Sequence, residues 1–153
     1  MKINVREAVE RDLENILPVN ASARETLRKV YVRTEGVAQI SNEASVLLVA
    51  LTEDRKIVGR CEYSIRDKDI YFSSLGVLEE FRGRGVFRKI FLYLEAIAQE
   101  NGCCSILCET IAETGNELVF SKVGMIVLGR SASAKYCSPN GGVVHQVLMG
   151  KKL

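Results

Sequence analysis

The stretch EEFRGRGVFRK, residues 79–89, decides the fold of this chain. From its residue Val86 onward, apolar residues recur at helical spacing and predict one long helix over 86–101, with Asn101-Gly102 as its stop signal. Directly before it, IYFSSLGV (70–77) is typical of a strand. The two glycines and four basic residues of this stretch therefore lie in the loop that joins a strand to a helix and in the first turn of that helix.

A loop in this position is suited to bind phosphate. The first backbone N–H groups of a helix have no intrahelical partner, and the helix dipole adds partial positive charge. Gly83 and Gly85 allow a tight turn and a close approach to an anion, while Arg82, Arg84 and Arg88 would add charge-assisted bonds. Pyrophosphate is the ligand that these features favour. A solvated basic turn is the alternative at this point. A Walker A loop and a Rossmann fingerprint are both excluded by the spacing.

The other patterns predict one mixed α/β domain over residues 1–153. Before the loop we expect a strand, two helices broken at Pro18 and a three-stranded antiparallel meander, at 3–8, 10–17, 20–33, 45–54, 56–65 and 70–77. After the long helix we expect a buried strand, a short helix and two strands separated by a polar loop, at 103–110, 113–123, 125–131 and 143–150. A strand, a long helix and a further strand imply a right-handed crossover and one parallel pair.

Composition excludes several classes of protein. The 153 residues are 47% apolar and 26% charged, with a formal charge of +2, which is too weak to attract nucleic acid or a membrane in bulk. No signal peptide and no run of about 18 apolar residues is present. Five cysteines without a C-x-x-C pair, and a single histidine, favour neither disulfides nor a metal. We expect a cytoplasmic protein with reduced thiols and no metal.

In this context the sequence resembles the GNAT family, the GCN5-related N-acetyltransferases. The acetyl-CoA loop of that family, [RQ]-x-x-G-x-[GA], is similar to RGRGVF (82–87), and FSKVGM (120–125) is similar to the family's Y-x-x-x-G-F at the end of its fourth helix. The family's order β-α-α-β-β-β-α-β-α-β-β covers nearly the whole chain. The resemblance implies a mostly antiparallel sheet with one parallel pair at a central splay.

The resemblance also implies an acetyl-CoA-dependent N-acetyltransferase that passes the acetyl group directly to an amine. Loop amides would hold the CoA pyrophosphate, and the pantetheine arm would lie in the splay like an added strand. One main-chain N–H there would donate to the thioester oxygen. The implied cofactor-binding residues are Leu75, Gly76, Val77, Arg82, Gly83, Arg84, Gly85, Val86, Phe87 and Arg88.

Two aromatic residues depart from the family pattern. Phe87 replaces a Gly or Ala, and its place in the helical stripe favours a packing role. Phe120 replaces a tyrosine that protonates the departing CoA thiolate; Ser121 or Tyr136 could substitute. Because a thiol has a pKa of about 8.5, its thiolate can leave without protonation by an acid. An alkylammonium acceptor has a pKa of about 10.4 and needs a base to remove its proton. The missing tyrosine keeps an alternative open, a catalytically impaired CoA-binding or regulatory module.

Several polar residues are candidates for the catalytic base or for a contact with CoA. Glu109, on the strand after the long helix, is the first candidate for the catalytic base and Glu62 the second, although Glu109 is also compatible with an ordinary polar strand end. His145 fits a packed or edge position and Cys108 a buried thiol. Alignment places Glu113, rather than Asn116, where the family often has a CoA-contacting asparagine.

The resemblance to the GNAT family also indicates where the acceptor would bind. The acceptor would be framed by residues 18–45 and 131–142, whose mixed charges leave a small-molecule amine and a protein amine both open. A homodimer is compatible with the sequence. A nucleic-acid-binding domain, with the loop arginines and Lys89 on phosphates, is disfavoured by the near-neutral total charge.

Overall fold

The computed structural model describes residues 1–34 and 44–153. Within these ranges eight strands form one sheet, β1 Asn4–Glu7, β2 Val32–Arg33, β3 Val46–Leu51, β4 Ile57–Arg66, β5 Asp69–Val77, β6 Ser105–Ile111, β7 Ile126–Cys137 and β8 Val143–Lys152. The helices are α1 Asp12–Asn15, α2 Leu17–Arg28, α3 Val86–Glu100 and α4 Asn116–Ser121, and 3₁₀ turns occupy Glu79–Phe81 and Ala112–Thr114. The strand order is β1-β3-β4-β5-β6-β8-β7-β2.

The predicted meander and the parallel pair on either side of the long helix are confirmed. Strands β3, β4 and β5 pair antiparallel, and α3 connects β5 to a parallel neighbour, β6. That parallel pairing covers only Asp69–Tyr71 against Ser105–Leu107. Because the two strands have no further paired residues in the described chain, the centre of the sheet is open beyond Tyr71.

The stripe on α3 closes one face of the sheet. Its buried residues are Val86, Ile90, Phe91, Leu94 and Ala98. Full burial of one large apolar side chain stabilises a fold by about 1.5–3 kcal/mol. The stripe therefore fixes α3, and with it the glycine loop at its start, against β5 and β6.

Two predictions about the first helices are wrong. Pro18 does not separate them: it lies in the first turn of α2, where its missing N–H costs no hydrogen bond. The second helix does not reach residue 33 either, because it ends at Arg28 and Val32–Arg33 pairs with β7. The β-branched and aromatic residues that follow Arg28 favour extended backbone once a strand edge is available.

The predicted loop over 131–142 is also wrong for its first half, because β7 continues to Cys137. The register between β7 and β8 shifts between Ala132 and Cys137, which marks a bulge in β7 over residues 133–136. Most side chains of β7 are exposed, so the segment has the polar composition of a loop although its backbone is a strand.

Candidate active site

A groove of about 900 Å³ crosses the open centre of the sheet. Its walls come from β5 and β6 where these strands separate, from the glycine loop, and from α2, α4 and the bulge of β7. Of the residues implied to bind cofactor, those that line the groove are Leu75, Gly76, Val77, Arg82, Gly83, Gly85, Val86, Phe87 and Arg88. One continuous surface therefore joins the loop to the splay.

The glycines of the loop are required by their backbone conformation. Gly83 has φ 73° and Gly85, immediately before α3, has φ 84°. A Cβ atom at either position would meet no atom within 4 Å, so crowding inside the protein does not select glycine here. Left-handed backbone does, and the empty space beside it lets a ligand approach the first N–H groups of α3.

A second backbone irregularity lies in β5 beside the groove. The register between β4 and β5 shifts between Arg60 and Glu62, and Ser74 opposite this shift has φ 53°. A non-glycine residue seldom adopts this conformation, and such strain is typical of functional sites. The bulge turns the backbone of residues 74–76 at the point where β5 has left β6, which suits it to hydrogen-bond an extended ligand.

The three arginines of the loop have three different surroundings. The guanidinium of Arg82 donates to the Val77 carbonyl and to side chains of α2. Arg84 lies over the ring of Phe81, 5.6 Å from its centroid, and is absent from the described groove lining. Arg88 lines the groove and is exposed there.

Phe87 and Phe120 belong to one aromatic cluster that forms part of the groove wall. Phe120 is 4% exposed, and its ring centroid lies 5.2 Å from that of Phe87 and 5.7 Å from that of Phe72. Edge-to-face and tilted pairs at such distances are favourable. The packing role expected for Phe87 agrees with this cluster. No hydroxyl is available at position 120.

Glu109 lies on the groove wall within a hydrogen-bonded chain. Gln146 of β8 donates through Nε2 to Glu109 Oε2 at 2.6 Å. Ser133 Oγ donates to Gln146 Oε1 at 3.1 Å and accepts the backbone N–H groups of Lys135 and Tyr136 at 3.3 and 3.1 Å. The single hydroxyl proton of Ser133 orients the amide of Gln146, which in turn holds one carboxylate oxygen of Glu109.

Glu62 has a different environment. It does not line the groove in the described part of the chain, and both of its oxygens have partners. Arg60 donates to Oε2 at 2.8 Å and Ser45 donates to Oε1 at 3.0 Å. Both oxygens of this carboxylate on β4 are therefore occupied by protein partners.

Two tyrosines line the groove on the side of α2 and β7. The rings of Tyr31 and Tyr136 meet edge to face with centroids 5.0 Å apart, and burial raises the pKa of Tyr31. The Arg33 guanidinium lies 5.8 Å from the ring centre of Tyr136. Sequence reasoning missed Tyr31 because it placed this residue inside a helix; the apolar run after Arg28 was the signal for an extended segment.

The other residues considered from the sequence differ in whether they reach the groove. Cys108 reaches the groove, but burial raises the pKa of its thiol to about 12. His145 is exposed on β8; its backbone N–H and its ring Nδ1 lie 2.6 and 3.2 Å from the Glu113 carboxylate. Asn116 lines the groove, and Glu113 is absent from the described lining.

The described residues contain neither a candidate metal cluster nor a helix suited to span a membrane. Across residues 1–34 and 44–153, no group of three His, Cys, Asp or Glu side chains could hold a metal ion. Over the same residues, no helix combines the length and apolar character needed to cross a membrane.

Comparisons with known proteins identify a family and a shared fold. The sequence model of the acetyltransferase (GNAT) family matches residues 10–124. A GCN5-related N-acetyltransferase from Kribbella flavida has a similar structure, with TM-score 0.77 and 21% identity over 99% of this chain and 98% of that one. The ribosomal-protein-alanine N-acetyltransferase from Brucella melitensis gives 0.74 and 21% over 98% and 99%.

A third solved structure, yncA from Salmonella typhimurium with its cofactor acetyl-CoA, gives TM-score 0.74 and 15% identity over 100% of this chain and 95% of that one. No curated protein matches the chain. Likeness at these identities concerns the fold alone. The predicted mixed sheet with one parallel pair at a central splay is confirmed.

Proposed function

The chain belongs to the GNAT family of acetyltransferases, and on this premise we propose that it is an N-acetyltransferase that passes an acetyl group directly from acetyl-CoA to an amine. The observation that carries the proposal is the groove, which joins the glycine loop to Glu109 through the opening between β5 and β6. Both reactants can enter one continuous space, so no acyl-enzyme is required.

The cofactor end of the groove would hold acetyl-CoA. The first N–H groups of α3, with Arg88 beside them, suit the pyrophosphate. The backbone of Leu75, Gly76 and Val77 suits the pantetheine arm, which can hydrogen-bond there as an added strand. Acetyl-CoA supplies an activated thioester, and a backbone N–H of the β5 bulge would stabilise negative charge on its carbonyl oxygen.

The acceptor end would supply the base. An alkylamine is protonated at neutral pH, since its pKa is about 10.4, and must lose a proton before it attacks. Glu109 Oε2 is held by Gln146, which leaves Oε1 facing an acceptor. Tyr136 lines the same groove and is our candidate to protonate the departing thiolate. Cys108 is no nucleophile at neutral pH, because its thiol stays protonated.

A second candidate function is a CoA-binding or regulatory module with little turnover. One observation favours it: Phe120 is packed among Phe72 and Phe87, so the tyrosine hydroxyl used by relatives has no substitute at that position.

Thermal unfolding with acetyl-CoA, CoA or ATP tests the cofactor. A ligand at about 100 times its Kd should stabilise the fold by roughly 2.7 kcal/mol. A rise in Tm with acetyl-CoA and CoA but not with ATP supports the proposal, and no rise with any of them contradicts it. Release of free CoA thiol in the presence of a broad panel of small and peptide amines then separates an enzyme from a binding module.

A further inference from the structure

Arg82, the first residue of the loop motif, is bound on the protein side of the loop. Its Nε donates to the Val77 carbonyl at 3.0 Å, Nη1 to Thr26 Oγ1 at 3.0 Å and Nη2 to Ser22 Oγ at 3.4 Å. All three nitrogen atoms of the guanidinium are thus engaged at once. They join the glycine loop to the end of β5 and to two successive turns of α2.

The acceptors on α2 are arranged to receive these bonds. Thr26 donates its own hydroxyl proton to the Ser22 carbonyl at 3.1 Å, which leaves a lone pair of its oxygen for Arg82. Ser22 Oγ also accepts the backbone N–H of Glu79 at 3.3 Å, at the start of the turn that precedes the loop. Two side chains of one helix therefore hold both ends of the segment 79–82.

Helix α2 is also a wall of the groove. Thr26 and Leu27 line it beside the glycine loop. A Cβ atom on Gly76 would lie 3.1 Å from the Ala23 side chain, so the helix rests directly on the strand proposed to hold pantetheine. The helix that Arg82 binds is therefore both part of the groove wall and the support of β5 at Gly76.

We propose that Arg82 is a positioning residue, which ties the glycine loop to α2 so that acetyl-CoA meets a preformed loop, and that Arg88 supplies the cationic contact to the pyrophosphate. This inference rests on the proposed function. A planar guanidinium can serve three acceptors in a fixed fork, which an ammonium cannot. Holding the loop before the ligand arrives lowers the entropic cost of binding.

The two possible roles of Arg82 differ in what its partners on α2 should do. We would measure the Kd for acetyl-CoA by titration calorimetry for Arg82→Ala, for the double variant Ser22→Ala with Thr26→Val, and for the triple variant. Valine keeps the shape of threonine on the groove wall. If Arg82 acts through α2, the single and double variants each weaken binding by about three- to tenfold, and the triple variant weakens it no further.

Salt dependence gives an independent readout. A lost phosphate contact reduces the dependence of Kd on salt, because fewer charges are screened. We expect Arg88→Ala to weaken binding and reduce that dependence, and Arg82→Ala to weaken binding with unchanged salt dependence. Arg82→Lys should not restore affinity, since lysine keeps the charge and loses the fork.

Wild-type binding separates the possible failures. An unsubstituted protein that does not bind acetyl-CoA would overturn the proposed function and this inference together. If it binds, and the α2 double variant binds equally well while Arg82→Ala weakens affinity and reduces the salt dependence, Arg82 is a phosphate ligand and the inference alone is wrong. Rescue by Arg82→Lys would overturn it in the same way.

Discussion

The two ends of the groove are built in opposite ways. The cofactor end consists mainly of one continuous stretch, residues 79–89, and of the strand just before it. The acceptor end brings together Tyr31 after α2, Glu109 of β6, Tyr136 in the bulge of β7 and Gln146 of β8. One end depends on the conformation of a local backbone, while the other depends on side chains that lie more than 100 residues apart.

This difference decides how each end responds to substitution. Under the proposed function, backbone N–H groups would bind the ligand at the cofactor end, so changes that distort the backbone should matter more than changes of side chain. At the acceptor end, one carboxylate and the residues that orient it would carry the chemistry, so changes that preserve shape should still have large effects. The substitutions below follow that contrast from the largest expected effect to the smallest.

Glu109→Gln should have the largest effect, because it removes the proposed base and keeps the shape of the side chain. We expect kcat/KM to fall by about 10²- to 10⁴-fold, with the Kd for acetyl-CoA unchanged. Glu62→Gln is the matched control, since Glu62 has partners on both oxygens outside the groove. A Glu109→Gln enzyme with near-normal turnover, or a larger loss in the control, would remove Glu109 as the base.

Gly85→Val should damage the cofactor end most. We expect the affinity for acetyl-CoA to fall by about 30-fold, because hydrogen bonds to charged groups are worth about 1.5–3 kcal/mol each and a side chain here keeps phosphate from the backbone. Gly102→Val is the control: Gly102 has φ 66° and open space around it, as Gly85 does, but lies at the far end of α3. Equal binding losses in both variants would reduce the effect to general destabilisation.

Gln146→Leu tests the support of the base. We expect kcat/KM to fall by about tenfold, the loss for one hydrogen bond to a charged group. The amide of Gln146 holds one carboxylate oxygen of Glu109, so its loss should leave the carboxylate less well oriented while the Kd for acetyl-CoA stays unchanged. Ser133→Ala, which removes the hydroxyl that orients this amide, should lower kcat/KM by a smaller amount. Near-normal kcat/KM in both variants would separate Gln146 from the base.

Phe120→Tyr should change turnover little, by about threefold or less, because a thiolate of pKa about 8.5 leaves without an acid. Burial of a hydroxyl without a partner should also lower stability by about 1–3 kcal/mol. Phe91→Tyr, in the same cluster, is the control for that cost. A rise in kcat of about 30-fold or more in Phe120→Tyr would place the slow step at the cofactor end and favour the binding-module alternative for the native chain.

Cys108→Ala should have the smallest effect, with kcat/KM within about twofold of the native value, since a thiol with a pKa of about 12 carries almost no thiolate at neutral pH. Initial-rate kinetics with both substrates should give intersecting rather than parallel lines. Parallel lines together with loss of activity in this variant would indicate a covalent acetyl-cysteine.

The features predicted from sequence are those set by local patterns. The strand before the loop, the left-handed glycines and the apolar stripe of α3 all leave marks at fixed spacing, and together they place the loop correctly. The strand predicted over 125–131 is present, but the segment 29–33 and the continuation of β7 to Cys137 were mispredicted. These two segments pair with each other, so the extended backbone of each depends on a partner that is distant in sequence. Exposed pairing of this kind has no hydrophobic alternation to reveal it.

Orientation of side chains was equally hard to predict. The pattern assigned Arg82, Arg84 and Arg88 one common role, and the structure gives them three environments. It also ranked Glu113 ahead of Asn116, although only Asn116 is among the described residues that line the groove. The spacing of residues along a chain predicts which of them lie near a ligand. The direction in which each side chain points depends on neighbours that are distant in sequence, such as Thr26 for Arg82.

The short parallel pairing of β5 with β6 has a mechanical consequence. Three residue pairs, Asp69–Tyr71 with Ser105–Leu107, join a half-sheet of β1, β3, β4 and β5 to a half-sheet of β6, β8, β7 and β2. Such a junction leaves the two half-sheets hydrogen-bonded to each other at one end only, and along the rest of the opening β5 and β6 have no ladder between them in the described chain. An extended ligand bound between β5 and β6 would hydrogen-bond to the backbone of both strands where they do not pair with each other. The substrate itself would then complete the sheet and make it more rigid.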